Sequence, residues 1–318
     1  GLTYREALLA FEEGALIGLS IDDKPLLNPP MEMIVLENAE GVFVAHTEAS
    51  VRPAKKKATV DSQEIVAGRA EAAHAERALI LGWNRRGPAV LNELSQYMAQ
   101  NSVMTVVAES PRFAQLAPTL QLPNAGVQLE HIVADTADRS VIRRLNAATA
   151  NHVIVLACSQ DMDAESADTQ TLVTLLHLRQ AIADAGGKQT IVSEILNERN
   201  RALAQATHTD DFIVSNRLIS MMLTQISENE ELLQVFAELL DEKGAEIYLR
   251  PAQDYVHVGK EVTFATIVTA AALRDESAFG YRVAGADGAT LNLNPRKSAT
   301  VTFQPGDAIV VLAKGRPV

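Results

Sequence analysis

A chain of 318 residues, 47% hydrophobic and 21% charged, is long enough for two or three domains and apolar enough to bury a core, which excludes a disordered type. Its formal charge of −12 excludes an extended nucleic-acid face, because contact with phosphate requires clustered Lys and Arg. The single cysteine excludes an intrachain disulfide and any multi-cysteine metal site, and no run reaches the roughly 18 apolar residues of a membrane helix.

In chain order, residues 1–47 read as a small β-rich lobe. A helix from Tyr4 to Phe11 leads into strands that bend at Asn28-Pro29-Pro30, where proline fixes φ and pushes its predecessor out of the helical region. Residues 48–76 contain a basic knot (Arg52, Lys55, Lys56, Lys57) and few large apolar side chains, which predicts a solvated linker. Residues 77–214 alternate strands with helices. The predicted strands are Ala78–Leu81, Val103–Ala108, Val127–Val133, His152–Ala157, Thr190–Ile195 and Phe212–Val214; the helices include Thr169–Ala185 and Asn197–Ala206. That alternation specifies an α/β fold with a doubly wound, parallel, Rossmann-like sheet. Cys158 ends an apolar run and reads as a buried, inert thiol. Residues 215–243 form a helical hairpin with a capping box at Ser227-Glu228-Asn229-Glu230, and its first arm is apolar over too wide an arc for one interface. Residues 244–318 are a second β-rich lobe.

The two lobes carry related text. Thr3-Tyr4, Leu16-Ile17-Gly18-Leu19 and Leu27-Asn28-Pro29 correspond to Thr263-Phe264, Ala278-Phe279-Gly280-Tyr281 and Leu293-Asn294-Pro295. Each copy then closes on a β run, Gly41–Ala45 and Asp307–Ala313. A small β module behind each nucleotide-fold unit predicts a chain that begins in the middle of a tandem pair.

A sheet of this type binds ligands at the carboxyl ends of its strands, with phosphate over the first helix N-terminus. The loop there reads Gly82-x-Asn84-x-x-Gly87 in place of G-x-G-x-x-G, so the Asn84 side chain stands where pyrophosphate approaches the backbone. Arg85 offers a charge to phosphate, Glu109 ends the second strand where a ribose hydroxyl is held, and Asp135 follows the third strand. Asp161, Asp163, Glu165 and Asp168 after the fourth strand are candidate Ca²⁺ ligands, since hard cations take several oxygens; the same acids also suit a helix N-terminus. No histidine pair and no nucleophile elbow appears, and the chain reads as non-catalytic.

At Leu79-Ile80-Leu81-Gly82-Trp83-Asn84-Arg85-Arg86-Gly87 the chain resembles the cytosolic region of CASTOR/POLLUX-type cation channels and, more broadly, the RCK or TrkA-like regulators of conductance. The resemblance continues through His152–Leu156, Asp168–Arg179, Ile191–Glu194, Asp210–Ser215, Gln225–Asn229 and Glu246–Leu249. It implies that residues 1–47 and 244–318 are C-terminal lobes of two successive RCK units, the first lacking its Rossmann lobe. It also implies a transmembrane pore upstream in the same chain, homotetrameric assembly of the full-length protein into a gating ring, and a place at the cytoplasmic face of the membrane. The ligands implied are Ca²⁺ or a nucleotide such as NAD, ATP or ADP. A nucleotide-binding regulatory subunit beside a potassium transporter is the alternative, and a nicotinamide-dependent oxidoreductase a third class.

Overall fold

The computed structural model describes residues 1–67, 74–200, 203, 211–241, 244–285 and 288–314. The chain divides into two compact units: Gly1–Ala72 together with Asn229–Val318, and Ala73–Glu228 between them.

The first lobe opens with α1 (Tyr4–Ala7), started by a reciprocal capping box between Thr3 and Glu6. The helix stops short of the predicted Phe11. The next residues bond to a different partner: Ala54 donates its N–H to the Ala10 carbonyl at 2.8 Å, and Phe11 bridges to Pro53. Strand β1 (Ala15–Ile21) then pairs antiparallel with β2 (Lys24–Leu27) across a turn at Asp22 and Asp23, both at positive φ, and with β3 (Glu40–Val44). Within the segment 48–76 expected to be a solvated linker, residues 54–66 are bonded to this unit, and residues 68–73 lie outside the described residues. The Asp61 N–H donates to Thr266 Oγ1 at 3.0 Å, that of Val66 to the Tyr255 carbonyl at 2.9 Å, and that of His257 to the Glu64 carbonyl at 3.0 Å. Hydrogen bonds and the packing of Ile65 against the lobe core fasten it, and a single large apolar residue in a polar stretch is a weak sign of such attachment.

The middle unit runs β4 (Arg77–Leu81), α2 (Gly87–Tyr97), β5 (Val103–Val107), α3 (Pro111–Leu116), β6 (Gln128–Ile132), α4 (Arg139–Arg144), β7 (His152–Val155), α5 (Ala164–Asp184), β8 (Ile191–Ile195), β9 (Asp211–Val214) and α6 (Ser215–Glu228). Its six strands are all parallel, in the order β6-β5-β4-β7-β8-β9, so the strand order reverses between β4 and β7. Alternate side chains of β4 enter two separate cores: Leu79 and Leu81 join Leu175 and Leu178 of α5, whereas Ala78 and Ile80 join Leu91 and Phe113 of α2 and α3. Helix α5 begins five residues before the predicted Thr169, because Asp163 caps it, and ends as expected on Gly186 at φ +69°. Of the predicted helix Asn197–Ala206, residues 198–200 form a 3₁₀ turn; residues 201–202 and 204–206 lie outside the described residues.

The chain continues into α7 (Leu232–Leu240), β10 (Ala245–Pro251), β11 (Glu261–Thr263), α8 (Phe264–Ala272), β12 (Ser277–Val283), β13 (Thr290–Leu293), β14 (Thr300–Thr302) and β15 (Ala308–Lys314). The two arms of the predicted hairpin belong to different units, α6 to the middle one and α7 to the lobes. No side chain caps α7 as a capping box would; Asn229 Oδ1 instead accepts the Glu231 N–H. Strands β10-β15-β12-β13 form one antiparallel sheet, and β11 pairs with β14.

The repeat in the sequence is a repeat in hydrogen bonds. Tyr4 and Arg5 donate their N–H groups to Met33 and Met31, as Phe264 and Ala265 do to Ala299 and Lys297. Asn28 (φ 43°) donates to Ile17 as Asn294 (φ 52°) does to Phe279. Both β1 and β12 shift register just before a glycine, where a Cβ on Gly18 or Gly280 would lie 2.7 or 2.6 Å from the carbonyl of the adjacent strand. The copies share their cores: Tyr4, Leu8, Leu16 and Met31 pack with Phe264, Ile267, Phe303 and Val311, while Ile17 and Leu27 pack with Phe279 and Val310. The buried Tyr4 hydroxyl reaches Ser277 Oγ at 3.1 Å.

Candidate functional site

The carboxyl ends of β4, β5 and β6 carry the loop 82–87, Glu109 and Asp135 to one edge of the parallel sheet. Gly82 sits at φ +85°, and a Cβ there would lie 2.1 Å from the Leu156 carbonyl oxygen, so this turn requires glycine. Trp83 is buried against Phe113, with ring centroids 5.0 Å apart. Gly87 opens α2, and Pro88 stands in its first turn.

Asn84 is 2% exposed. Its Nδ2 donates to the Ala157 carbonyl at 2.8 Å and to Glu194 Oε2 at 2.7 Å, while its Oδ1 accepts the Arg86 N–H at 2.9 Å. Glu194, at the end of β8 and also buried, accepts the Ala157 N–H at 3.2 Å and pairs through its other oxygen with the Arg86 guanidinium. The asparagine therefore bridges the carboxyl ends of β4 and β7, at the point where a doubly wound sheet has its ligand crevice. The sequence reading of Asn84 as a residue in the phosphate path acquires a structural partner, Glu194, which that reading passed over. The signal available was a lone charged residue inside a short, otherwise uncharged strand, Ile191–Ile195.

Arg85 and Glu109 are exposed at the same edge. Asp135 Oδ1 accepts the Ala137 N–H at 2.8 Å and lines a shallow groove with Asp163 and Glu165. The four acids proposed as cation ligands do not converge. Asp163 is the N-cap of α5, accepting the Glu165 and Ser166 N–H groups and the Ser166 hydroxyl, and those Ser166 bonds hold its carboxyl below the ordinary range. Asp168 is fully buried and clamps the turn after β8, accepting the N–H groups of Leu196 and Asn197 at 2.8 and 3.0 Å and Asn200 Nδ2 at 2.8 Å. Asp161 is exposed. Among the described residues no group of three or more His, Cys, Asp or Glu is placed to hold a metal ion. Cys158, expected to be buried, is half-buried, and burial pushes its thiol pKa up.

Residues 78–216 match the TrkA-N domain family. The whole chain is similar to the probable ion channel POLLUX of Arabidopsis thaliana, at 25% identity over 99% of this chain and 42% of that protein. It is also similar to the ion channel CASTOR of Lotus japonicus, at 26% identity over 99% of this chain and 41% of that one. Over nearly its whole length the chain is similar to POLLUX and CASTOR ion channels. It spans about two fifths of their length. Its fold is that of the human SLO3 gating ring, matched with a TM-score of 0.68 at 13% identity over 99% of this chain and 64% of the other. Among the described residues no helix is long and apolar enough to cross a membrane.

Proposed function

We propose that this chain is the regulatory region of a ligand-gated cation channel, placed on the cytoplasmic face of the membrane and acting without catalysis. One observation carries the reading: similarity to POLLUX and CASTOR channels extends from end to end of the chain, through both small lobes and the TrkA-N domain. On this reading the pore belongs to the same full-length chain, four copies form a ring, and ligand binding biases that ring between two shapes.

The ligand that best suits the carboxyl edge is a nucleotide. Gly82 makes the tight turn, Gly87 and Pro88 start the helix, Arg85 faces solvent beside them, and Glu109 stands at the end of the neighbouring strand. To reach the crevice, phosphate has to displace Arg86 from Glu194 or bind outside the Asn84 bridge. Ca²⁺ has less support, because Asp163 and Asp168 already serve as cap and clamp.

A thermal-shift series on this chain with NAD⁺, NADH, ATP, ADP, Mg²⁺ and Ca²⁺ tests the choice. A ligand at about 100 times its dissociation constant adds roughly 2.7 kcal/mol. A nucleotide should give a shift; a shift with Ca²⁺ alone would move the site away from the loop. The TrkA-N match equally favours a nucleotide-binding subunit beside a potassium transporter, and a full-length chain without a pore helix would decide for it.

A further inference from the structure

The internal two-fold of the lobes creates two matched pockets. One is lined by Asn28-Pro29-Pro30 of the first lobe with Asp275 and Lys314 of the second; the other by Asn294-Pro295-Arg296 of the second with Glu13 and His46 of the first. The correspondence follows from register: Ala15 faces Val44 as Ser277 faces Leu312, so two residues further on His46 matches Lys314.

The copies have diverged in charge. The second pocket holds Glu13 in an ion pair with Arg296 at 2.6 Å. The first adds Arg250, Arg274 and Glu276, so that three cations, the two arginines and Lys314, face one cavity of about 490 Å³ together with the acids Asp275 and Glu276. That volume is in the range of sites for small metabolites. Both guanidinium groups are positioned by aromatic rings: Arg250 lies 4.6 Å from the centroid of Tyr248 and Arg274 4.4 Å from that of Tyr255. Arg250 approaches Glu276 through Nε at 3.2 Å, and Arg274 donates one terminal N–H to the Asp254 carbonyl. Glu276 is further engaged by the Tyr255 hydroxyl, and burial pushes its carboxyl pKa up. Lys314 is exposed and pairs with no acid among the described residues. Guanidinium groups held by aromatic rings beside an exposed ammonium suit a tetrahedral oxyanion.

We propose that the pocket between the Asn28-Pro29-Pro30 turn and Arg250, Arg274 and Lys314 binds a small phosphate-bearing metabolite. This site is separate from the carboxyl edge of the parallel sheet and does not depend on how that edge is used. A ligand seated there would touch both copies of the repeat and so report on their packing.

Isothermal titration of the whole chain with inorganic phosphate, pyrophosphate and AMP tests it at low and at physiological salt. Pyrophosphate or AMP should bind with one site per chain and weaken as salt rises. Lys314→Gln, an exposed change that leaves the melting temperature in place, should weaken binding about tenfold, the loss of one charge-assisted contact. His46→Gln in the matched pocket and Arg86→Gln at the sheet edge should leave it unchanged. No saturable heat at about ten millimolar, full affinity in Lys314→Gln, or a loss caused by Arg86→Gln instead would each overturn the proposal.

Discussion

Lys297 shows most clearly how one residue departs from the repeat that contains it. Its backbone carbonyl occupies the place of the Met31 carbonyl in the first lobe, and both side chains are buried, Lys297 at 2% exposure. The ammonium has the Gly14 carbonyl at 3.3 Å and the ring of Phe264 beneath it, and burial lowers its pKa from 10.5 to about 8, against a partial opposing effect from Glu12. Below that value the folded and unfolded chains both carry the proton, and the buried charge destabilises the fold in full. Between about 8 and 10.5 only the unfolded chain stays protonated, so stability rises with pH until the ordinary value is passed. Lys297→Met should therefore raise stability near neutral pH by about 1–3 kcal/mol and abolish the rise on the alkaline side. Urea melts at neutral and alkaline pH measure both effects; a variant less stable at neutral pH would contradict the reading. At the sheet edge, Asn84→Gly should lower stability by roughly 1–3 kcal/mol, since the buried Ala157 carbonyl and Glu194 each lose the amide donor of Asn84. The sequence alone placed Asn84 in the loop but gave no pointer to Glu194, 110 positions away, because no local pattern encodes a contact of that span. The clamp made by Asp168 is invisible in the sequence for the same reason: its donors, the N–H groups of Leu196 and Asn197, come from the turn after the next strand.

Among the elements, α6 stands out for what it leaves uncovered. Leu218 and Ile219 are each 49% exposed, Met221 56% and Leu223 63%, with Met222 half-buried among them. By contrast α7 directs Val235 and Leu239 into the core that contains Ile17, Leu27 and Phe279, and its Glu238 accepts the Leu27 N–H at 2.9 Å. The wide apolar arc of α6 was legible in the sequence; the role of α7 as a cover for the sheets was not, because its partners come from both ends of the chain. An exposed apolar helix face marks an interaction surface, and if copies of the chain assemble as proposed, they are predicted to do so through α6. Met222→Asp should reduce the mass seen by light scattering to that of one chain while the thermal transition stays in place. An unchanged mass would remove α6 from the assembly interface.

At the scale of the whole molecule, the alternation of strands and helices made the parallel sheet readable, since each strand–helix pair is a local signal. The repeat made the two lobes readable as well. What no pattern conveyed is that the lobes, separated by the entire middle unit, close on one another and share buried side chains such as Tyr4, Met31, Phe264 and Phe303. Removing residues 1–47 would expose that core. Calorimetry on a chain beginning at residue 48 should therefore lose the lobes' transition and keep that of the middle unit, Ala73–Glu228. Two intact transitions would show that the second lobe folds without the first. The most direct test of a regulatory, ligand-operated region is current through the full-length protein in a planar bilayer, with NAD⁺, NADH, ATP, ADP and Ca²⁺ applied in turn to the cytoplasmic side. A nucleotide is expected to change the open probability, and Arg86→Gln or Asn84→Gly to alter the concentration required; currents indifferent to all five additions would contradict a ligand-operated region.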